Sequence, residues 1–207
     1  MAPATGSGRA ALPQLEQAVV FFEDRHFYRH PGVNPFSVVR AAAQNAASGR
    51  VVSGASTITM QLARRLRDAR RSEASLSSRR RGGVGAVVAK AAEALAALRL
   101  ELHFSKREIL RAYLDHVPYG GNLVGVDAAA WRLFGKPPRE LSWGEAAYLA
   151  VLPNAPALRA PDGVVELRGK RDRLLGRMHA ASLLGGSHSA APPGSGRAGG
   201  IRGVPFL

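Results

Sequence analysis

The chain has 207 residues, 46% apolar and 21% charged, which gives room for one domain with a real core and a second lobe but not for two large domains. Twenty-nine Lys and Arg face fifteen Asp and Glu, and the net charge of +14 calls for an anionic partner: nucleic acid, an acidic membrane surface or a phosphate-bearing substrate. The absence of cysteine excludes a disulfide framework, a thiol nucleophile and any thiolate metal site.

Ala, Leu and Arg dominate while β-branched residues are sparse, so helices are favoured. Residues 1–12 are small and polar and are expected to be disordered. The nearest apolar run, AVVFF at 18–22, is too short to span a bilayer, so neither a transmembrane nor a secretory segment is expected in the sequence as written. Over 14–28, Leu15, Val19 and Phe22 recur at helical spacing behind Pro13, which places Glu23 at or just beyond a helix end. Asn34-Pro35 has the form of an N-cap followed by a first-turn proline and opens a helix running to Ser48-Gly49. After the loop VVSGAS, Ser56 or Thr57 is placed to cap a helix through Ile58, Leu62 and Leu66.

Residues 64–81 carry eight arginines against Asp68 and Glu73, a local net of +6, and then reach Gly82-Gly83. The span 64–83 is expected to be a mobile loop. From Val84 to His103 an Ala/Leu-rich segment predicts a long, largely buried helix on which Lys90 and Glu93 share a face. Ser105-Lys-Arg-Glu108 is a capping box for a helix with Ile109, Leu110, Tyr113, Leu114 and Val117 inward. VPYGGN (117–122) predicts a turn, a short helix then stops at Gly135, and Ser142-Trp-Gly-Glu145 is a second capping box whose helix ends at Pro153. A last helix is expected near 164–181, and the tail 184–207 has too little apolar content to fold. With no strand pattern of any length, the fold class is all-α.

Three stretches are candidates for chemistry. Glu23 and Asp24 sit side by side in a cationic chain. They suit a helix end satisfied by Arg25 and Arg29, or a metal site using Glu23-x-x-His26 and the His26/His30 pair, or a general base whose basicity is tuned by its neighbour. GASTITMQL (54–62) suits a plain capped helix start, or an anion cradle built from free N–H groups and the hydroxyls of Ser56, Thr57 and Thr59. Lys90-x-x-Glu93 suits a surface ion pair, yet its apolar surroundings make an idle pair costly to desolvate.

In order and spacing these stretches resemble the peptidoglycan glycosyltransferases (glycosyltransferase family 51). EDRHFYRHPG is similar to the first motif, Glu-Asp-x-x-Phe-x-x-His-x-Gly, at Glu23, Asp24, Phe27, His30 and Gly32. GASTITMQLAR resembles the second through Gly54, Ser56, Thr57, Thr59 and Gln61, with Met60 in place of a Gln and Arg64 in place of a Lys. AKAAE keeps the Lys90 and Glu93 of the third motif but has Ala89 for its arginine. SKREILRAYLD resembles the fourth from Lys106, with Asp115 for an Asn, and KRDRLL (170–175) a fifth. Met60-Gln61, VPYGGN with Asn122, Gly-Lys-Pro-Pro and LAVLPNAP look most like the C-type branch of class A penicillin-binding proteins.

The resemblance covers roughly 14–181, within a glycosyltransferase domain at 13–183. It implies a lysozyme-like, two-lobed helical fold with a central substrate groove. It also implies polymerisation of lipid II into β-1,4-linked glycan with inversion and release of undecaprenyl pyrophosphate. Glu23 would be the base on the acceptor hydroxyl. Glu93 would sit near the leaving pyrophosphate, acting there directly or through a divalent cation (magnesium or manganese), although no cofactor is required by the sequence. Asp24, Phe27, His30, Gly32, Gly54, Ser56, Thr57, Thr59, Gln61, Arg64, Lys90, Lys106 and Asn122 would form the substrate-binding set. Asp24 would oppose the acidifying pull of the surrounding cations on Glu23. Lipid II, the growing glycan strand, an anionic membrane surface and a cell-wall synthesis complex are the implied partners, at the periplasmic face of the bacterial inner membrane and without nucleic acid. No Ser-x-x-Lys occurs, so no penicillin-binding transpeptidase site is expected, and no upstream anchor is visible. The competing expectations are a catalytically impaired lipid-II-binding fragment, a basic nucleic-acid-binding protein, and lysozyme-like cleavage with water as the acceptor.

Overall fold

The computed structural model describes residues 12–49, 56–72, 84–120, 122–154 and 163–184. These residues form α-helices α1 (Pro13–Glu23), α2 (Pro35–Ser48), α3 (Ile58–Ser72), α4 (Val84–His103) and α5 (Lys106–His116). A hairpin of β1 (Pro118–Gly120) and β2 (Leu123–Val124) follows, and then α6 (Val126–Phe134), α7 (Trp143–Val151) and α8 (Gly163–Ala180). The class is all-α, as predicted. The chain divides into two compact units, one of Val20–Pro118 and the other of Met1–Val19 with Tyr119–Leu207.

In the first unit α3 packs against α4 and α5. Ile58 and Leu62, one turn apart on α3, are fully buried, as are Ile109, Leu110 and Leu114 on α5. The start of α5 is fixed by the predicted capping box: Ser105 Oγ accepts the Glu108 N–H while the Glu108 carboxylate accepts the Ser105 N–H at 2.8 Å. Asn34 caps α2 through the Ser37 N–H at 3.1 Å, and Gly49 ends it with φ +60°.

Two expectations change. The arginine-rich stretch does not begin as a loop, because α3 continues to Ser72 and carries residues 64–72; only 73–83 lie outside the described residues. The buried face set by Ile58 and Leu62 continues the helical register past the point where charge takes over. α4 has the predicted length, but it is not largely buried: Val88, Leu95, Leu98 and Leu102 are exposed, whereas Glu93 and Ala97 are covered. The side that is covered carries Glu93 and Glu101, so apolar content does not mark the face that α4 turns inward.

In the second unit α7 packs on both α6 and α8. Ala146, Ala147, Leu149, Ala150 and Val151 are buried on α7, and Leu167, Leu174 and Met178 on α8. The small residues of α7 allow close approach. The Ser142–Glu145 capping box forms as predicted, and Lys136 adds an ion pair to Glu145 at 2.7 Å. VPYGGN closes the short two-stranded hairpin rather than a bare turn. Leu12, expected within the disordered N-terminus, is buried and its N–H donates to the Glu16 carboxylate. The expectations for residues 1–11 and 185–207 fall outside the described residues.

Candidate active site

The first unit brings most of the motif residues together, and α3 is their common support. Glu23, the last residue of α1, is half-buried, and its Oε2 accepts a hydrogen bond from Gln61 Nε2 at 2.8 Å. The carbonyl end of the same amide accepts from the Tyr113 hydroxyl of α5 at 3.4 Å. The carboxylate at the end of α1 is thus held by the first turn of α3.

Asp24 has partners of its own beyond its neighbour Glu23. It is 8% exposed, both its oxygens meet His30 Nε2 at 2.9–3.0 Å, and Oδ2 accepts the Ile58 N–H at 3.2 Å. The second carboxylate of the pair therefore caps α3 from a distant part of the chain and is compensated by a buried histidine and a helix N-terminus. Phe27 is fully buried, edge-on to the His30 ring. His30 points at Asp24, so the Glu23/His26/His30 metal cage does not form.

The anion cradle expected at the start of α3 is also smaller than the sequence suggested. Thr57 and Thr59 are buried. The Thr57 hydroxyl donates to the Gly32 carbonyl and accepts the Met60 N–H at 3.1 Å, and the Thr59 hydroxyl donates to Glu101 at 2.6 Å. With the Ile58 and Met60 N–H groups also taken, Ser56 is the partly exposed hydroxyl of the three, and Lys90 Nζ donates to it.

Glu93 is 6% exposed and bears a cation on each oxygen: Arg67 on Oε1 at 3.2 Å and Lys90 on Oε2 at 3.1 Å. A buried carboxylate is tolerated only when paired in this way. The same pairing disfavours a divalent cation, which would have to displace Lys90 or Arg67. Among the described residues no group of three or more His, Cys, Asp or Glu comes together to hold one, so the described residues do not fit a metal at Glu93.

Lys106 was expected to meet substrate but is tied to its own unit. Its Nζ donates to the His30 carbonyl at 2.6 Å and to Glu101 at 2.7 Å and lies 4.5 Å from the Phe27 ring centre. Gly32 adopts φ +88°, and a Cβ there would also stand 2.9 Å from the Ala97 carbonyl oxygen and from Glu101 Cγ. Arg64 is half-buried on α3, and Asn122 is exposed in the hairpin turn of the other unit. Gly54 lies outside the described residues.

Sequence reasoning missed Arg67 and Glu101. Arg67 lies one turn beyond Arg64, so following the motif stopped one turn short of the arginine that reaches Glu93. Glu101 stands eight residues after Glu93 at a spacing that returns to the same face of α4, and that spacing was the available signal.

The transglycosylase sequence profile matches residues 9–179. The chain is 47% identical over 167 residues to penicillin-binding protein 1C of Escherichia coli (strain K12), covering 80% of this chain and 20% of that relative. To penicillin-binding protein 1A of Aquifex aeolicus (strain VF5) it is 44% identical over 144 residues, covering 70% of this chain and 18% of the relative. To penicillin-binding protein 4 of Bacillus subtilis (strain 168) it is 34% identical over 172 residues, covering 83% and 26%. The chain thus spans about a fifth to a quarter of the length of these curated relatives. A helical unit in which one helix gathers the acidic pair, the hydroxyl-rich turn and the Lys-x-x-Glu pair, matched along most of its sequence by that profile, belongs to the transglycosylase family.

Proposed function

We propose that this chain is a peptidoglycan glycosyltransferase domain that joins lipid II units into β-1,4-linked glycan with inversion, releasing undecaprenyl pyrophosphate. The observation that carries this reading is the bracket made by α3: its first turn holds Glu23 through Gln61, and its third supplies Arg67 to the Glu93–Lys90 pair of α4. A base and a cationic anion site are thereby mounted on one rigid element.

Glu23 takes the proton from the acceptor sugar's 4-hydroxyl. The oxygen so activated attacks the donor's anomeric carbon, and the bond to the lipid diphosphate breaks with its electron pair leaving on the phosphate oxygen. Lys90 and Arg67 meet the charge that develops there. Lys90 has three donors, with one on Ser56 and one on Glu93, which leaves a third for a phosphate oxygen. Glu93 holds the two cations side by side and offsets their mutual repulsion. Glu93 is in this reading a positioning residue for the cations, and no step passes through a metal. Phe27, His30, Gly32, Thr57, Thr59 and Lys106 shape the site from beneath rather than touch substrate. Ala89 stands where the family has an arginine, and Arg67 supplies a cation at Glu93, which favours turnover over an impaired fragment.

Lipid II is delivered at a membrane. Phe36 and Val39 on α2 and Val88, Leu95 and Leu102 on α4 are exposed on a chain of net charge +14, which suits an anionic lipid surface at the periplasmic face of the inner membrane. No helix among the described residues is long and apolar enough to cross a bilayer. Association with a cell-wall synthesis complex is part of the same proposal. Incubating the purified chain with lipid II and resolving the products on a gel tests the reading. Glycan ladders that disappear in Glu23→Gln support it. Salt-sensitive DNA binding tighter than lipid II binding, with no polymer formed, would replace it with the nucleic-acid reading.

A further inference from the structure

One carboxylate outside the motifs ties three of them together. Glu101 Oε1 accepts the Thr59 hydroxyl at 2.6 Å and the Lys106 ammonium at 2.7 Å. Lys106 in turn donates to the His30 carbonyl at 2.6 Å and sits over the Phe27 ring. Gly32 lies against the Glu101 side chain so closely that a Cβ would meet Cγ at 2.9 Å. The Glu101 side chain is 10% exposed and that of Lys106 21%, so the pair is largely withdrawn from water and screened little by salt. The segments that meet here are the loop after α1, the first turn of α3 and the start of α5.

We propose that Glu101 is a positioning residue: by anchoring Thr59, it sets the first turn of α3 so that Gln61, two residues on, presents its amide to Glu23. Thr59 has no exposed surface and points to α4, whereas Gln61 points to the end of α1, so the hydroxyl and the amide reach from one turn to two different elements. Fixing one end of that turn fixes the other. The Asp24–Ile58 bond holds the axial position of the helix start, and the Glu101–Thr59 bond supplies the second point that stops rotation about it. Glu101 touches neither Glu23 nor the Lys90 cluster by any of these bonds, so its effect passes through Gln61.

The role of Gln61 in catalysis rests on the glycosyltransferase reading, but the placement of its amide does not, and the test separates the two. In the ¹⁵N-labelled full chain, the Gln61 side-chain NH₂ resonance is identified by its loss in Gln61→Glu and shown to report on Glu23 by its shift in Glu23→Gln. Glu101→Gln keeps the shape and an acceptor oxygen but loses the charge that holds Lys106. The Gln61 resonance is expected to shift or broaden in this variant, while Glu108→Gln, an exposed helix-cap variant, leaves it in place. If Glu101→Gln fails to fold, Thr59→Val, which removes only the hydroxyl arm, decides the question in its stead. With lipid II, the same variant is expected to lower kcat by roughly 10–100-fold with KM within about twofold, as a displaced positioning group does. A Gln61 resonance that stays at its wild-type position would overturn the proposal whatever the activity. A wild-type chain that makes no glycan would overturn the reaction, not the clamp.

Discussion

Gly32→Ala perturbs the joint between the first motif and α4, and its effect follows from two separable causes. The backbone has φ +88°, where an L side chain costs roughly 1–2 kcal/mol. The new Cβ would also lie 2.9 Å from the Ala97 carbonyl oxygen, a backbone atom that cannot swing aside, and overpacking of this kind adds roughly 1–3 kcal/mol. The total of about 2–5 kcal/mol is a large share of the roughly 5–15 kcal/mol that holds a domain folded. In a chain of this size it lowers Tm by roughly 4–20 °C. Gly49→Ala supplies the comparison: φ is +60° there, but nothing lies within 4 Å of the added carbon, so only the first cause operates. Thermal unfolding of both variants beside the wild type measures the contact cost as the difference between them. If Gly32→Ala were no more destabilising than Gly49→Ala, the close packing of the loop on α4 would be refuted.

Glu93→Ala leaves Arg67 and Lys90 facing one another without their shared carboxylate, and because both cations are partly exposed the loss is about 1.5–3 kcal/mol, measurable by urea unfolding. A loss below 1 kcal/mol would place Glu93 in solvent. Asp24→Asn removes the charge that His30 and the Ile58 N–H share, so it should destabilise by about 1–3 kcal/mol, and His30→Ala made in that background should cost far less than in the wild type. Additive losses would show that the two do not act together. Glycan synthesis is expected to continue in excess EDTA, since both Glu93 oxygens carry protein cations, and loss of activity restored by magnesium would contradict that arrangement. Burial alone would raise the Glu145 carboxyl, but hydrogen bonds from Lys136 and Ser142 outweigh it and hold it below the ordinary carboxylate range. Because the folded-state value is lowered, this stabilisation is full above the unfolded value of about 4.3 and is lost as pH falls through the folded one. Glu145→Gln should therefore lower the urea midpoint at pH 7 and approach the wild type near pH 3, and a pH-independent difference would refute the pairing.

Local rules read the helix boundaries well because the chemistry that sets them is local. Asn34 with Pro35, Ser105 with Glu108 and Ser142 with Glu145 each satisfy free N–H groups within one turn, and each forms where its residues predicted. The extent of α3 was missed because eight arginines resemble a solvated loop in composition, while its first turns are anchored by Ile58 and Leu62. The burial of α4 was misjudged because its covered side carries Glu93 and Glu101 while Val88, Leu95 and Leu102 stay exposed, the reverse of what apolar content predicts. At the site, the motif residues mark the place, but residue type alone does not separate groups that face substrate from groups that hold them. Asp24, Thr57, Thr59 and Lys106 all carry chemistry suited to a ligand, and each uses it on a partner distant in sequence. Those partners are set by tertiary packing, which is also why Arg67 and Glu101 emerged only from the structure.

The central claim is that Glu23 serves as the base of a glycosyl transfer. Its most direct measurement is the initial rate of lipid II polymerisation by the wild-type chain and by Glu23→Gln at matched Tm. Glycan is expected from the wild type, with a rate lower by roughly 10²–10⁴-fold in the variant, the range by which a positioned general base accelerates proton transfer. Equal rates in the two proteins would contradict it.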